Sequence, residues 1–141
     1  NDAMGLKEKI MVYGDYDVDG ISASSLLYLY LKQRGSRVAT YIPQRKSEGY
    51  GLNDEALKNI AEKGTTLVIT VDCGISGLHE VANAPKSLDI IITDHHTVPE
   101  VLPPAYAIIN AKQRDCGYPF KHLSGVGIAF KLCQALEQRE V

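Results

Sequence analysis

The chain has 141 residues, 45% of them apolar and 23% charged, with a formal net charge of −2. That is one ordinary globular domain, long enough to bury a core. It excludes a strongly basic nucleic-acid binder, so any such contact must rest on a local patch, and no apolar run of eighteen residues exists to span a membrane. Three cysteines without a CxxC pair, and the lack of a visible signal peptide, point to a reducing cytoplasm.

Taken in order, Asn1 to Glu8 reads as a helix tail or an edge. Ile10-Met11-Val12-Tyr13 is a short apolar run, predicted as a buried strand. Gly14 ends it, and Asp15, Asp17 and Asp19 follow at alternate positions before Gly20. Helical spacing of Ile21, Leu26, Leu27, Tyr30 and Leu31 predicts a helix over 21–34, closed by Gly35. Strand 38–42 stops at Pro43. A polar stretch, 44–51, leads to Asn53, the expected N-cap of a helix over 54–63. Leu67 to Val71 is a third strand and runs into Asp72-Cys73-Gly74. A short helix over 76–84 precedes strand 88–92, which ends in Thr93-Asp94-His95-His96. A Pro-rich loop, a strand over 106–109, an irregular stretch to His122 and a helix over 126–138 capped by Ser124 complete the chain. Ile128, Leu132 and Leu136 share a face of that last helix.

Strands alternating with helices predict a doubly wound α/β fold: a mainly parallel five-stranded sheet with helices on both faces. In such sheets ligands bind at the carboxyl ends of the strands. Three strands end in acidic or imidazole residues, so topology alone brings Asp15/Asp17/Asp19, Asp72 and Asp94-His95-His96 to one edge. Alternate carboxylates repel unless a cation joins them, and oxygen donors suit hard divalent ions. A solvated acidic turn before a helix accounts for Asp19 and in part for Asp17, but not for three acids after a buried strand. An EF-hand start is rejected: its twelfth position is Leu26, where a Glu is needed. Cys73 reads as a small buried cysteine, and His79 and His122 as surface residues. Carboxylates plus an imidazole suit Mn²⁺ or Mg²⁺ better than structural zinc. Two such ions about 3.5–4 Å apart activate a water and clamp phosphoryl oxygens, which makes phosphoester or phosphoanhydride hydrolysis the reaction class.

These residues in this order resemble a known family. Asp94-His95-His96 is similar to the signature of the DHH phosphoesterases. Gly14-Asp15-Tyr16-Asp17-Val18-Asp19-Gly20 and Val71-Asp72-Cys73-Gly74 resemble the first two motifs of that family's RecJ branch. So do Ile42-Pro43-Gln44-Arg45, Glu48-Gly49-Tyr50-Gly51-Leu52, Tyr118-Pro119-Phe120-Lys121 and Leu123-Ser124-Gly125-Val126-Gly127 leading into Ala129-Phe130-Lys131-Leu132. The likeness runs from about Lys9 onward. It implies a 5′-to-3′ exonuclease specific for single-stranded DNA, using Mn²⁺ or Mg²⁺ in DNA recombination and repair, with single-strand-binding and recombination proteins as partners. It implies Asp17, Asp19, Asp72 and His95 as metal ligands, with Asp15 joining them directly or through a hydrogen bond. His96 would contact the scissile phosphate and Asp94 would orient the histidines. Arg45 and the Gly49-Tyr50-Gly51 loop would touch the nucleic-acid backbone, or that loop is a flexible connection. Ala111 departs from the Pro usual in the RecJ branch. The family's fourth motif and second lobe are not found, so the expectation is a single catalytic lobe, 1–141, of a longer nuclease. The competing readings are another DHH enzyme acting on oligoribonucleotides, cyclic dinucleotides or pyrophosphate, and a haloacid-dehalogenase-type phosphatase with Asp17 as nucleophile. A nucleotide-binding module without catalysis is a third, disfavoured because no GxGxxG follows the first strand.

Overall fold

A computed structural model describes residues 8–44 and 49–138. In chain order the elements are β1 (Lys9–Tyr13), α1 (Val18–Gln33), β2 (Arg37–Tyr41), α2 (Asp54–Glu62), β3 (Leu67–Val71), α3 (Leu78–Asn83), β4 (Asp89–Thr93), β5 (Ala107–Ile109) and α4 (Gly125–Gln138). The five strands form one sheet in the order β2-β1-β3-β4-β5. Every strand pair is parallel. This is the doubly wound arrangement whose topological switch lies between β1 and β3, where the direction of winding reverses.

Strand alternation builds two cores. Ile10, Val12, Ile69 and Val71 point to one face and pack with Leu27, Leu31, Ala129 and Cys133 of α1 and α4. Met11, Tyr13, Val68, Ile90 and Ile92 point to the other and pack with Ala56, Leu57 and Ile60 of α2 and Val81 of α3. Strands covered on both faces read as unbroken apolar runs rather than alternating ones. Burying each Leu or Ile of these layers is worth about 1.5–3 kcal/mol. The register sets Tyr13 beside Thr70, Val71 beside Thr93 and Thr93 beside Ile109, so the strand tips are level. Asp72 N–H donating to Thr93 O and Asp94 N–H donating to Ile109 O, each at 3.1 Å, carry the ladder one residue past the strands.

Two local expectations need correcting. The first helix starts at Val18 rather than Ile21, because Asp17 takes an extended backbone as N-cap and its Oδ1 accepts Gly20 N–H at 2.8 Å. A cap inside the acidic loop pulls Asp19 and Gly20 into the helix. Ile21 is therefore exposed, and the small residues Ala23 and Ser24 join Leu27 and Leu31 on the buried stripe. The buried stripe of α4 is likewise Gly125, Ile128, Ala129 and Cys133, with Leu132 and Leu136 only partly covered. Asn53 caps α2 as expected, its Oδ1 accepting Ala56 N–H at 2.7 Å. Among the described residues no helix is long and apolar enough to cross a membrane.

Candidate metal centre

The carboxyl edge of the sheet gathers side chains from the tips of β1, β3 and β4. Asp72 is the point where they meet. One group of closely placed donors is Asp15, Asp17 and Asp72, and a second is Asp72, His95 and His96; within each, one ligand atom per residue lies within 4.8 Å of the others. Asp72 is 1% exposed and has φ +61°, a left-handed backbone that a non-glycine residue rarely adopts. Such strain persists only where its surroundings enforce it and is concentrated at functional sites. His95 Nε2 lies 2.9 Å from Asp72 Oδ1. Among the described residues no donor meets that oxygen in hydrogen-bonding geometry, so a buried carboxylate oxygen has the His95 ring nitrogen as neighbour but makes no hydrogen bond. Burial, followed by the charges of Asp19 and Asp17, pushes the Asp72 carboxyl up to about 7. Burial also raises Asp15, against a 2.7 Å hydrogen bond from Tyr16 N–H that favours its charged form.

A divalent cation fits this donor set. It would satisfy the orphaned Asp72 Oδ1, offset the repulsion among converging carboxylates, and find oxygen donors with an imidazole rather than thiolates. Cys73 is fully buried, and burial holds its thiol well above its ordinary range, so it is an inert core residue rather than a nucleophile.

Asp94 is the anchor of the imidazole side. It is 1% exposed, and its Oδ2 accepts Ile75 N–H at 3.0 Å. Its Oδ1 accepts His95 N–H at 2.7 Å, His96 N–H at 3.2 Å and His96 Nδ1 at 2.7 Å. A carboxylate only accepts, so Nδ1 of His96 carries the proton and the ring is fixed. His95 and His96 sit with ring centroids 4.5 Å apart. The turn at the strand end therefore lets both imidazoles reach one cleft.

Asp19 lies at the margin of this cluster. Its Oδ2 accepts Gly125 N–H at 2.7 Å and its Oδ1 accepts Val126 N–H at 2.8 Å, so it caps α4 across 106 residues. It keeps contact with the centre, His95 Nε2 being 3.6 Å from Oδ2. Tyr50 leans over the other side. Its hydroxyl is 3.3 Å from His96 Nδ1 and 3.4 Å from Asp72 O. Gly49 and Gly51, both at positive φ, form the loop that carries it. Buried Tyr13 Oη donates to Gly51 O at 3.0 Å and holds that loop to β1. Arg45 lies outside the described residues.

One contributor has no signal in the sequence. Asn110 is 1% exposed, donates Nδ2 to His96 O at 3.0 Å, and accepts Lys112 N–H on Oδ1 at 2.9 Å. It ties the 110–116 loop to the histidine turn. A cavity of about 730 Å³ lies between Val98–Leu102 and Lys112–Cys116, and none of the centre's residues lines it.

Known proteins resemble this chain in sequence and in fold. The chain is 50% identical over 135 residues to the single-stranded-DNA-specific exonuclease RecJ of Bacillus subtilis (strain 168), covering 95% of this chain and 17% of that protein. It is 42% identical over 135 residues to RecJ of Haemophilus influenzae, covering 94% of this chain and 24% of that protein. The chain thus spans about a sixth to a quarter of the length of these relatives. The crystal structure of exonuclease RecJ bound to manganese superposes with a TM-score of 0.84 at 32% identity, covering 99% of this chain and 37% of that one. A family model described as the N-terminal domain of the DHH family matches residues 9–141, which sets aside the haloacid-dehalogenase-type reading of Asp17. With a family model matched over residues 9–141, nearly its whole length, the chain belongs to the DHH family.

Proposed function

We propose that this chain is the metal-binding catalytic lobe of a 5′-to-3′ exonuclease that hydrolyses phosphodiester bonds of single-stranded DNA in recombination and repair. The observation that carries the reading is Asp72, a buried carboxylate common to both donor groups, one oxygen of which makes no hydrogen bond among the described residues. The residues proposed to hold two Mn²⁺ or Mg²⁺ ions are Asp15, Asp17, Asp72 and His95, with Asp72 between the two positions. Asp19 joins them while capping α4, since each carboxylate oxygen keeps a second lone pair beyond its N–H bond. Bound there, the cations supply an activated water and neutralise charge on the phosphoryl oxygens. Asp94 holds the proton on His96 Nδ1 and fixes the ring that we assign to the scissile phosphate. Tyr50 and the Gly49–Gly51 loop border the same cleft and are assigned to the nucleic-acid backbone, with Arg45 beside them in sequence. The RecJ relatives, named for action on single-stranded DNA, support the substrate class.

The proposal extends to domain and setting. Residues 1–141 form one lobe, and full activity requires the further length that the relatives possess. The chain works in the cytoplasm, in keeping with three free thiols, alongside single-strand-binding and recombination proteins. The test is degradation of 5′-labelled single-stranded DNA in Mn²⁺ by this chain and by a longer chain reaching the relatives' full length. The longer chain should degrade it and lose activity on Asp72→Ala, whereas this chain alone should be a poor nuclease. Its net charge of −2 gives a polyanion little attraction. Equal rates from both, each abolished by Asp72→Ala, would sink the single-lobe reading, and 3′-end digestion would sink the polarity.

A further inference from the structure

The first turn of α4 forms a wall of the candidate centre, directly against Asp72. We propose that Gly125 is the positioning residue of that wall: its missing side chain leaves the room in which Asp72 presents Oδ1 to a cation. The inference rests on the metal-centre reading above.

A Cβ built on Gly125 would lie 2.5 Å from Asp72 Oδ1, 2.6 Å from Asp72 Cβ and 2.7 Å from Asp72 Cγ. Atoms of a folded interior do not approach so closely, so one partner must move. Neither is free to do so. Asp72 is held at φ +61° with its N–H on Thr93 O. Gly125 is held by its N–H on Asp19 Oδ2, with Val126 N–H on Oδ1. One turn on, Ile128 and Ala129 are buried. Backbone freedom is not what Gly125 contributes, for it is not among the glycines at positive φ. Nor does helix formation favour it, since glycine costs about 1 kcal/mol relative to alanine inside a helix. What remains is space beside the carboxylate. Gly127, on the same helix, provides the contrast, because the nearest atom to a Cβ there is Leu123 Cδ2 at 3.3 Å, the end of a flexible side chain.

Mn²⁺ binding by isothermal titration and melting in the absence of metal, on wild type, Gly125→Ala, Gly127→Ala and Asp72→Asn, test the proposal. Gly125→Ala should weaken Mn²⁺ binding by about tenfold or more, the scale seen when a residue that orients a ligand is lost. Gly127→Ala should stay within about twofold of wild type, as independent sites do. If Asp72→Asn abolishes binding while Gly125→Ala leaves it at the wild-type level, the centre stands and the role of Gly125 is overturned. If Asp72→Asn binds like wild type, the centre itself is wrong and the proposal falls with it. Should Gly125→Ala fail to melt cooperatively, the double variant Asp72→Gly/Gly125→Ala decides, since it removes the Asp72 Cβ along with the carboxylate. Removing the carboxylate should restore the transition, and failure to restore it overturns the proposal.

Discussion

The tip of β3 and the start of α1 send carboxylates to the same edge, yet they use them differently. Asp72, at the end of β3, has an oxygen that makes no hydrogen bond among the described residues and sits in a strained backbone. Asp17 and Asp19, at the start of α1, give oxygens to backbone N–H groups: Asp17 to Gly20 within its own helix, Asp19 to Gly125 and Val126 of α4. The difference separates two duties that look identical in a row of aspartates. A carboxylate that caps a helix stabilises the fold with or without a cation, because the helix N-terminus is itself a partial positive charge. A buried carboxylate with an orphaned oxygen costs stability until a cation arrives. The two tips should therefore respond in opposite ways to the same kind of substitution.

The largest effect expected is at Asp72. Asp72→Asn should abolish the rise in thermal midpoint that Mn²⁺ gives the wild type by binding only the folded state. Melting without metal should be unchanged or slightly higher, since a desolvated charge is removed. Differential scanning with and without Mn²⁺ reads both. An equal Mn²⁺ shift in both proteins would mean that the cation binds elsewhere.

Next comes the anchor of the imidazoles. Asp94→Asn keeps the shape but weakens four contacts to Ile75, His95 and His96. Loss of an orienting partner of this kind costs about 10–100-fold in metal affinity. Calorimetric Mn²⁺ titration should show it, and an unchanged affinity would remove Asp94 from the centre.

At Asp19 the comparison is sharpest. Asp19→Ala removes the acceptor for two helix N–H groups and should destabilise the metal-free chain by about 2 kcal/mol. Urea unfolding without metal measures this directly, and a metal-free stability equal to wild type would show that the cap contributes nothing.

Much of this was legible in the sequence because it followed from local patterns. The unbroken apolar runs ending in Asp72 and Asp94-His95-His96 mark strands of a covered parallel sheet, and level strand tips then bring the motifs together. Asn53 carried its own cap signal ahead of an apolar stripe. Asp19 did not, because its partners lie 106 residues away and no local spacing encodes them. Asn110 was hidden for the same reason, its role being set by His96 across a loop. The three-residue error at the start of α1 has a different cause. Asp17 and Asp19 are both good residues for a helix start, and only the fold, with Gly20 packed so that a Cβ would meet Asp15 O at 2.6 Å, selects Asp17 as the cap.

The smallest effect expected lies at Asn53, on the far side of the cleft from Asp19, where a helix cap and the loop over the centre share one side chain. Asn53 Oδ1 accepts Ala56 N–H, while Nδ2 donates to Tyr13 Oη at 3.2 Å, and Tyr13 Oη in turn donates to Gly51 O. Asn53→Ala should cost about 1 kcal/mol of metal-free stability through the lost cap. Asn53→Asp keeps an acceptor for the cap, and its charge is favourable at a helix N-terminus, but it cannot donate to Tyr13. Stability should therefore return toward wild type in Asn53→Asp while the tie to the Gly49–Gly51 loop stays broken. Neither variant touches a proposed ligand, so Mn²⁺ affinity should be unchanged in both. Hydrogen exchange at Gly51 and Leu52 should rise in both variants, and exchange in α2 only in Asn53→Ala. A fall in Mn²⁺ affinity in either would show that the loop bearing Tyr50 shapes the metal positions as well as bordering them, and the division between capping and ligating carboxylates would have to be redrawn to include it.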